Sequence, residues 1–221
     1  MRLEFVIDKG YDTKIALQLK QSGWNRLANV KVDHKSIAKK YANTLKVLKL
    51  TRKLYQSSWD EINDKFSGYV EKTTGYDWFY PKYFCVVSVI TPGASNWGYR
   101  PRIVRNWMEN PYWMRRITAH ELILSHYFEI YRRHYSDEGL TNGQVWALAE
   151  IAAWALTSLT REVKEFWPWN TEYYTNHNYP HIVKLQLQLK AIFLKRKDFD
   201  GYIRKGIALV KKYPKMGPNG T

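Results

Sequence analysis

His120, Glu121 and Glu150 are the residues of this 221-residue chain whose types and settings could do chemistry. The first two lie inside Ile117-Thr118-Ala119-His120-Glu121-Leu122-Ile123-Leu124-Ser125-His126-Tyr127-Phe128, whose apolar spacing predicts one long helix. A neutral imidazole ligates metals or carries protons, and an adjacent carboxylate can serve as a general base. Residues four apart lie about 40° from one another around a helix, so position 124 is the one placed to share an ion with His120. That position holds Leu124, which can bind nothing. His126 is six residues on, about 240° around the axis, and points away from His120 unless the helix breaks. Glu150 falls in Leu148-Ala149-Glu150-Ile151-Ala152-Ala153-Trp154, a stretch apolar on all sides. A carboxylate buried there requires a partner or a metal, and Arg115, Arg116 and His120 are the candidate partners.

The run His120-Glu121-Leu122-Ile123-Leu124 resembles the active-site helix of the zincin metallopeptidases, whose signature is HExxH, with leucine in place of the second histidine. Upstream lies a strand-like run from Tyr83 to Ile90, closed by Thr91-Pro92-Gly93. Zincins likewise carry a strand before the metal helix, where it can pair with an extended substrate. The gluzincin branch takes its third ligand from a glutamate on the following helix, the place Glu150 holds here. The minimal gluzincins of archaea and bacteria are the nearest resemblance, and it covers about residues 82–160.

The resemblance implies a zinc ion held by His120 and Glu150, with Glu121 as general base on a metal-bound water. A further ligand would be His126 through a helix break, or His177 or His181 from the aromatic segment beyond. His177, Tyr173 or Tyr174 would steady the oxyanion. Arg100, Arg102 and Arg105 would give the cleft a positive rim suited to an acidic group or a carboxy terminus. The substrate would be a peptide or protein. If the ion is lost, the fold persists as an inactive relative that still binds peptides along its strand.

The elements that must position these residues follow from periodicity and caps. Residues 2–7 alternate as a strand, Gly10 interrupts, and a short helix runs from about Thr13 to Gln21. Leu27 to Val32 alternates and would pair with the first strand. Asp33 caps a helix with a buried set of Ile37, Tyr41, Leu45, Leu48 and Tyr55 and a basic face of lysines. Ser58 with Glu61 reads as a capping box that opens a further helix to about Lys72. Tyr83–Ile90 and Ile103–Val104 are strands, with a Gly- and Pro-rich loop between them. Asn110 and Pro111 start the helix that carries His120, which extends to about His134. Thr141 or Asn142 caps the Glu150 helix, and two more helices span about Pro180–Lys195 and Phe199–Lys212. The expected fold class is therefore α+β and predominantly helical, with a small sheet and a buried helix pair, and the resemblance implies that this is a zincin-like domain. Three stretches compose it: a basic α/β extension over 1–81, a zincin-like core over 82–160, and a helical region over 161–221, packed as one unit.

Composition bounds the partners. Ten tryptophans, seventeen tyrosines and a 45% hydrophobic content exclude disorder as the main state. The net charge of +15 favours anionic partners. A non-catalytic nucleic-acid-binding protein is thus the alternative function, with basic helices and exposed aromatics but no P-loop and no helix-turn-helix motif. A third reading makes His120, Glu121 and Glu150 a structural network between two helices. Cys85 is the single cysteine, set in an apolar strand, which excludes an intrachain disulfide and a cysteine-rich zinc cluster. The N-terminal residues lack the apolar core of a signal peptide, and the expectation is a cytoplasmic protein.

Overall fold

The structure, a computed structural model, describes residues 1–23, 25–95, 101–167 and 182–214. Its secondary structure is mostly helical with one four-stranded mixed sheet, an α+β arrangement. The contacts group the chain into two units, Met1–Asp64 with Tyr80–Thr118, and Lys65–Phe79 with Ala119–Thr221.

The first unit is built on the sheet. Strands β1 (Arg2–Val6), β2 (Lys82–Ser88), β3 (Gly93–Ser95) and β4 (Arg102–Asn106) lie in the order β1-β2-β4-β3. β1 runs parallel to β2 and β2 parallel to β4, while β3 closes the edge antiparallel to β4. The register sets Phe5 beside Cys85 and Cys85 beside Ile103, and all three are fully buried. Period-2 alternation thus gives a continuous apolar face, each large side chain contributing about 1.5–3 kcal/mol of burial. β3 falls within the stretch expected to be loop. Three residues containing glycine carry too little pattern to announce a strand.

Three local expectations are corrected here. Helix α1 spans Lys9–Gln21 and includes Gly10 in its first turn, because Asp8 accepts the Tyr11 amide at 2.9 Å and fixes the start. The segment after Leu27 is no strand: a 3₁₀ turn covers Asn25–Leu27, and Lys20 Nζ donates to the carbonyls of Leu27 and Ala28 at 2.8 and 2.6 Å. Helix α2 runs unbroken from His34 to Asp60, with Asp33 as its cap. Ser58 caps nothing; its hydroxyl donates to the Pro111 carbonyl at 3.0 Å and accepts from Arg115 Nε at 2.7 Å. The helix beyond, α3, begins only at Asn63 and ends at Thr74.

α2 fixes the chain that leads into helix α4 (Pro111–His134). The Tyr55 hydroxyl lies 2.8 and 2.9 Å from the carbonyls of Asn106 and Glu109 and accepts the Glu109 amide at 2.9 Å. Asn110 then accepts the Tyr112 amide at 2.9 Å, as its capping position requires. Arg115 pairs with Glu61.

The second unit is helical, with α5 (Asn142–Ser158), α6 (Ile182–Leu194) and α7 (Phe199–Val210) together with α3 from Lys65 onward and α4 from Ala119 onward. Thr141 and Gln144 form a reciprocal capping box at the start of α5. Tyr69 donates to the Leu156 carbonyl at 2.7 Å, and Phe66 packs against Trp78, Phe166 and Trp167. Asp200 accepts from the hydroxyls of Tyr76 and Tyr135 at 2.6 and 2.7 Å. No described helix is long and apolar enough to cross a membrane.

Candidate functional site: a buried histidine–glutamate pair

Residues 114–130 of α4 are buried without exception, and so are residues 147–157 of α5. Polar groups on these helices are therefore costly unless they find each other. His120 and Glu150 do: His120 Nε2 lies 3.1 Å from Glu150 Oε2, and both side chains are 5% exposed. The second carboxylate oxygen, Oε1, accepts the indole N–H of Trp146 at 2.7 Å from one turn earlier on α5. Of the three partners open to Glu150 in the sequence, the structure selects His120 and adds Trp146. Its spacing of four residues was the available signal, since such pairs meet on one helix face.

Glu121 is buried at 8% exposure, next in the chain to His120, and Leu124 is buried at 3%. The Leu124 side chain leaves an apolar surface where a second imidazole would stand in the resemblance. α4 is unbroken from Pro111 to His134, so the helix break that would turn His126 toward His120 is absent. His126 instead packs against Trp78 and Phe79, with ring centroids 4.6 and 5.2 Å away. Neither of its ring nitrogens makes a well-formed hydrogen bond. Burial drives its pKa down to about 3, against a smaller opposing pull from the Tyr76 backbone. It is a neutral aromatic plate in the core. His177, with His181, Tyr173, Tyr174 and Arg100, lies outside the described residues.

The two described arginines of the expected rim are already committed within their own unit. Arg102 donates to Asp8 at 2.6 Å, and Arg105 is bound through both of its forks to Glu109. Cys85 is a buried thiol, as its strand position suggested.

Zinc requires at least three protein donors, about 2.0–2.3 Å from the ion. Two donors 3.1 Å apart suit two corners of a tetrahedron as well as they suit a hydrogen bond. Among the described residues, however, no three His, Cys, Asp or Glu side chains gather into a metal-holding group. Among the described residues the donor set is one short, at the corner occupied by Leu124. The described residues do not fit zinc, and no catalytic step is routed through it. What the pair can do unaided is hold and orient one proton between an imidazole and a carboxylate, as other buried His–carboxylate pairs do.

Two further buried carboxylates were not legible as such. Glu129, 2% exposed on α4, accepts from Arg132 at 2.6 Å and Arg133 at 3.1 Å. Asp12 on α1, fully buried, accepts from Ser88 Oγ at 2.5 Å, Tyr41 Oη at 2.7 Å and the Val89 amide at 3.2 Å. Its partners, Thr91 included, lie 29 to 79 residues away, beyond the reach of any local pattern.

No protein-family model matches the sequence, and neither the curated proteins nor the solved structures yield a match.

Proposed function

We propose that this chain is an inactive relative of the zincin metallopeptidases, which keeps the helix pair of the active site without its ion and binds peptides instead of hydrolysing them. The observation that carries the reading is the His120–Glu150 contact at 3.1 Å, beside a leucine at the second ligand position. The first and third ligand positions of the resemblance are thus side by side, and a direct hydrogen bond takes the role of the bridging metal. Glu121 then has no metal-bound water to activate. The strand expected to pair with substrate, β2, has β1 on one side and β4 on the other and cannot accept a peptide, so in this reading the peptide adds instead to the edge strand β3. An edge strand offers main-chain groups to an extended peptide by strand addition.

The test is elemental analysis of protein purified without chelators, beside a Leu124→His variant. The expected result is near-stoichiometric zinc in Leu124→His alone, because that change restores the missing donor. Stoichiometric zinc in the unaltered protein, with peptide hydrolysis abolished by Glu121→Gln, would instead make it a working metallopeptidase with an unusual ligand set. Zinc in neither protein would remove the zincin reading.

A further inference from the structure

Helix α2 has two faces of different purpose. Ile37, Tyr41, Leu48, Tyr55 and Trp59 are buried and belong to the core of the first unit. On the far side Val47, Leu50 and Leu54 are 48, 57 and 49% exposed. Their spacing of three and four residues places all three within about 60° of arc, the narrow seam of a helix that packs on another helix. Lys39, Lys46 and Lys53 stand at intervals of seven along one flank of that seam, and all three are exposed. Within α2 the one acidic residue is Asp60, at the last position.

From these observations we infer that the outer face of α2 is a docking surface for an acidic amphipathic helix of another protein. Val47 and Leu54 take the a positions of a heptad, Leu50 the d position, and the three lysines the g positions. Val47 at a with Leu50 at d suits a two-stranded pairing, Leu54 fills the second a position, and g-position lysines select a partner carrying glutamate or aspartate at its e positions. Charge also decides against the other occupants. A second copy of this chain offers no acidic complement: its own e positions are Thr44, Thr51 and Ser58 in a parallel pair, lysine faces lysine in an antiparallel one, and each chain carries a net charge of +15. Nucleic acid would use the lysines and leave the Val47–Leu50–Leu54 seam in contact with phosphate, which such side chains do not favour. A membrane-surface helix presents a broad apolar face with aromatic anchors, and this face is narrow and has none.

The experiment uses the full chain and a labelled synthetic helical peptide with Leu and Ile at a and d and Glu at e and g, followed by fluorescence anisotropy. Saturable binding is expected, weakened at least about tenfold by Leu50→Glu. The Lys46→Glu/Lys53→Glu double variant should lose the acidic peptide and gain one in which Lys replaces Glu. These positions are exposed, and circular dichroism and urea melts establish that each variant remains folded. Absence of binding, or binding indifferent to both sets of changes, would overturn the inference. So would a preference of the same face for a DNA oligonucleotide or for phosphatidylserine vesicles over the acidic peptide. Dimerisation of the chain in sedimentation equilibrium that Leu50→Glu abolishes would overturn it too, by assigning the face to a second copy.

Discussion

Glu150 divides its two oxygens between His120 Nε2 on another helix, at 3.1 Å, and Trp146 Nε1 on its own, at 2.7 Å. The carboxylate thereby ties α4 to α5 inside one unit, and its contribution can be separated from that of any metal.

Glu150→Gln keeps the shape and removes the charge, so one amide N–H₂ must now face a group that formerly met an acceptor. The expected loss is about 1–3 kcal/mol of stability, the cost of an imperfectly satisfied buried polar group. In the metal-free reading that loss is the same with and without chelator. Urea unfolding of both proteins in each condition measures it, and a loss that vanishes on chelation would return the pair to metal binding.

His126 gives the protein an acid-side weakness. In the unfolded chain its imidazole takes up a proton below its ordinary value of 6.5, whereas in the fold it stays neutral down to about 3. The unfolded state therefore binds more protons in that interval, and stability falls as pH drops from about 6.5 toward 3. Between pH 7 and pH 4 the contribution lost is about 2–4 kcal/mol. His126→Phe retains an aromatic plate between Trp78 and Phe79 and should flatten this part of the stability curve. Urea melts of the two proteins across pH 4–7 provide the comparison; parallel curves would show that His126 is not the group responsible.

Asp12 acts in the opposite sense. Burial is the largest influence on it and raises its pKa above the ordinary value of 3.8, while hydrogen bonds from Ser88, Tyr41, Val89 and Thr91 partly oppose that. The folded state thus holds its proton to higher pH than the unfolded state does. The stability tied to this proton is complete below about pH 3.8 and declines as pH rises through the higher, folded value. Asp12→Asn cannot titrate. The advantage of the unaltered protein over this variant should be largest at pH 3–4 and shrink toward neutrality, as read from urea midpoints. An advantage that grows with pH would mean that the hydrogen bonds outweigh burial.

The parts of the fold that were legible are those written in local chemistry. Asp33, Asn110 and Thr141 each carry a capping oxygen at the start of a periodic run, and the three helices begin where those residues place them. Ser58 carries the same oxygen, but Pro111 and Arg115, more than fifty residues away, claim it, and α2 continues. Leu45 keeps helical spacing with Leu48 yet is 43% exposed, because it lies at the margin of the buried arc. At the candidate site, His120 and Glu150 stood out as polar residues in apolar runs, and the structure joins them. Asp12 offered no such contrast, since it sits among polar neighbours in sequence and meets Ser88, on an apolar strand, only through the tertiary fold.

The sheet also imposes an order of assembly. β1 has β2 as its strand neighbour, and the pairing of Arg2 with Lys82 spans about eighty residues. At roughly 5–20 residues per second on a ribosome, β1 must wait about 4–16 s for its partner to be made. Throughout that interval Leu3 and Phe5 have no sheet to enter. Until Ser88 is made, α2 is the element on hand to cover this strand, through Tyr55 against the Phe5 ring and Gln56 on the Phe5 amide.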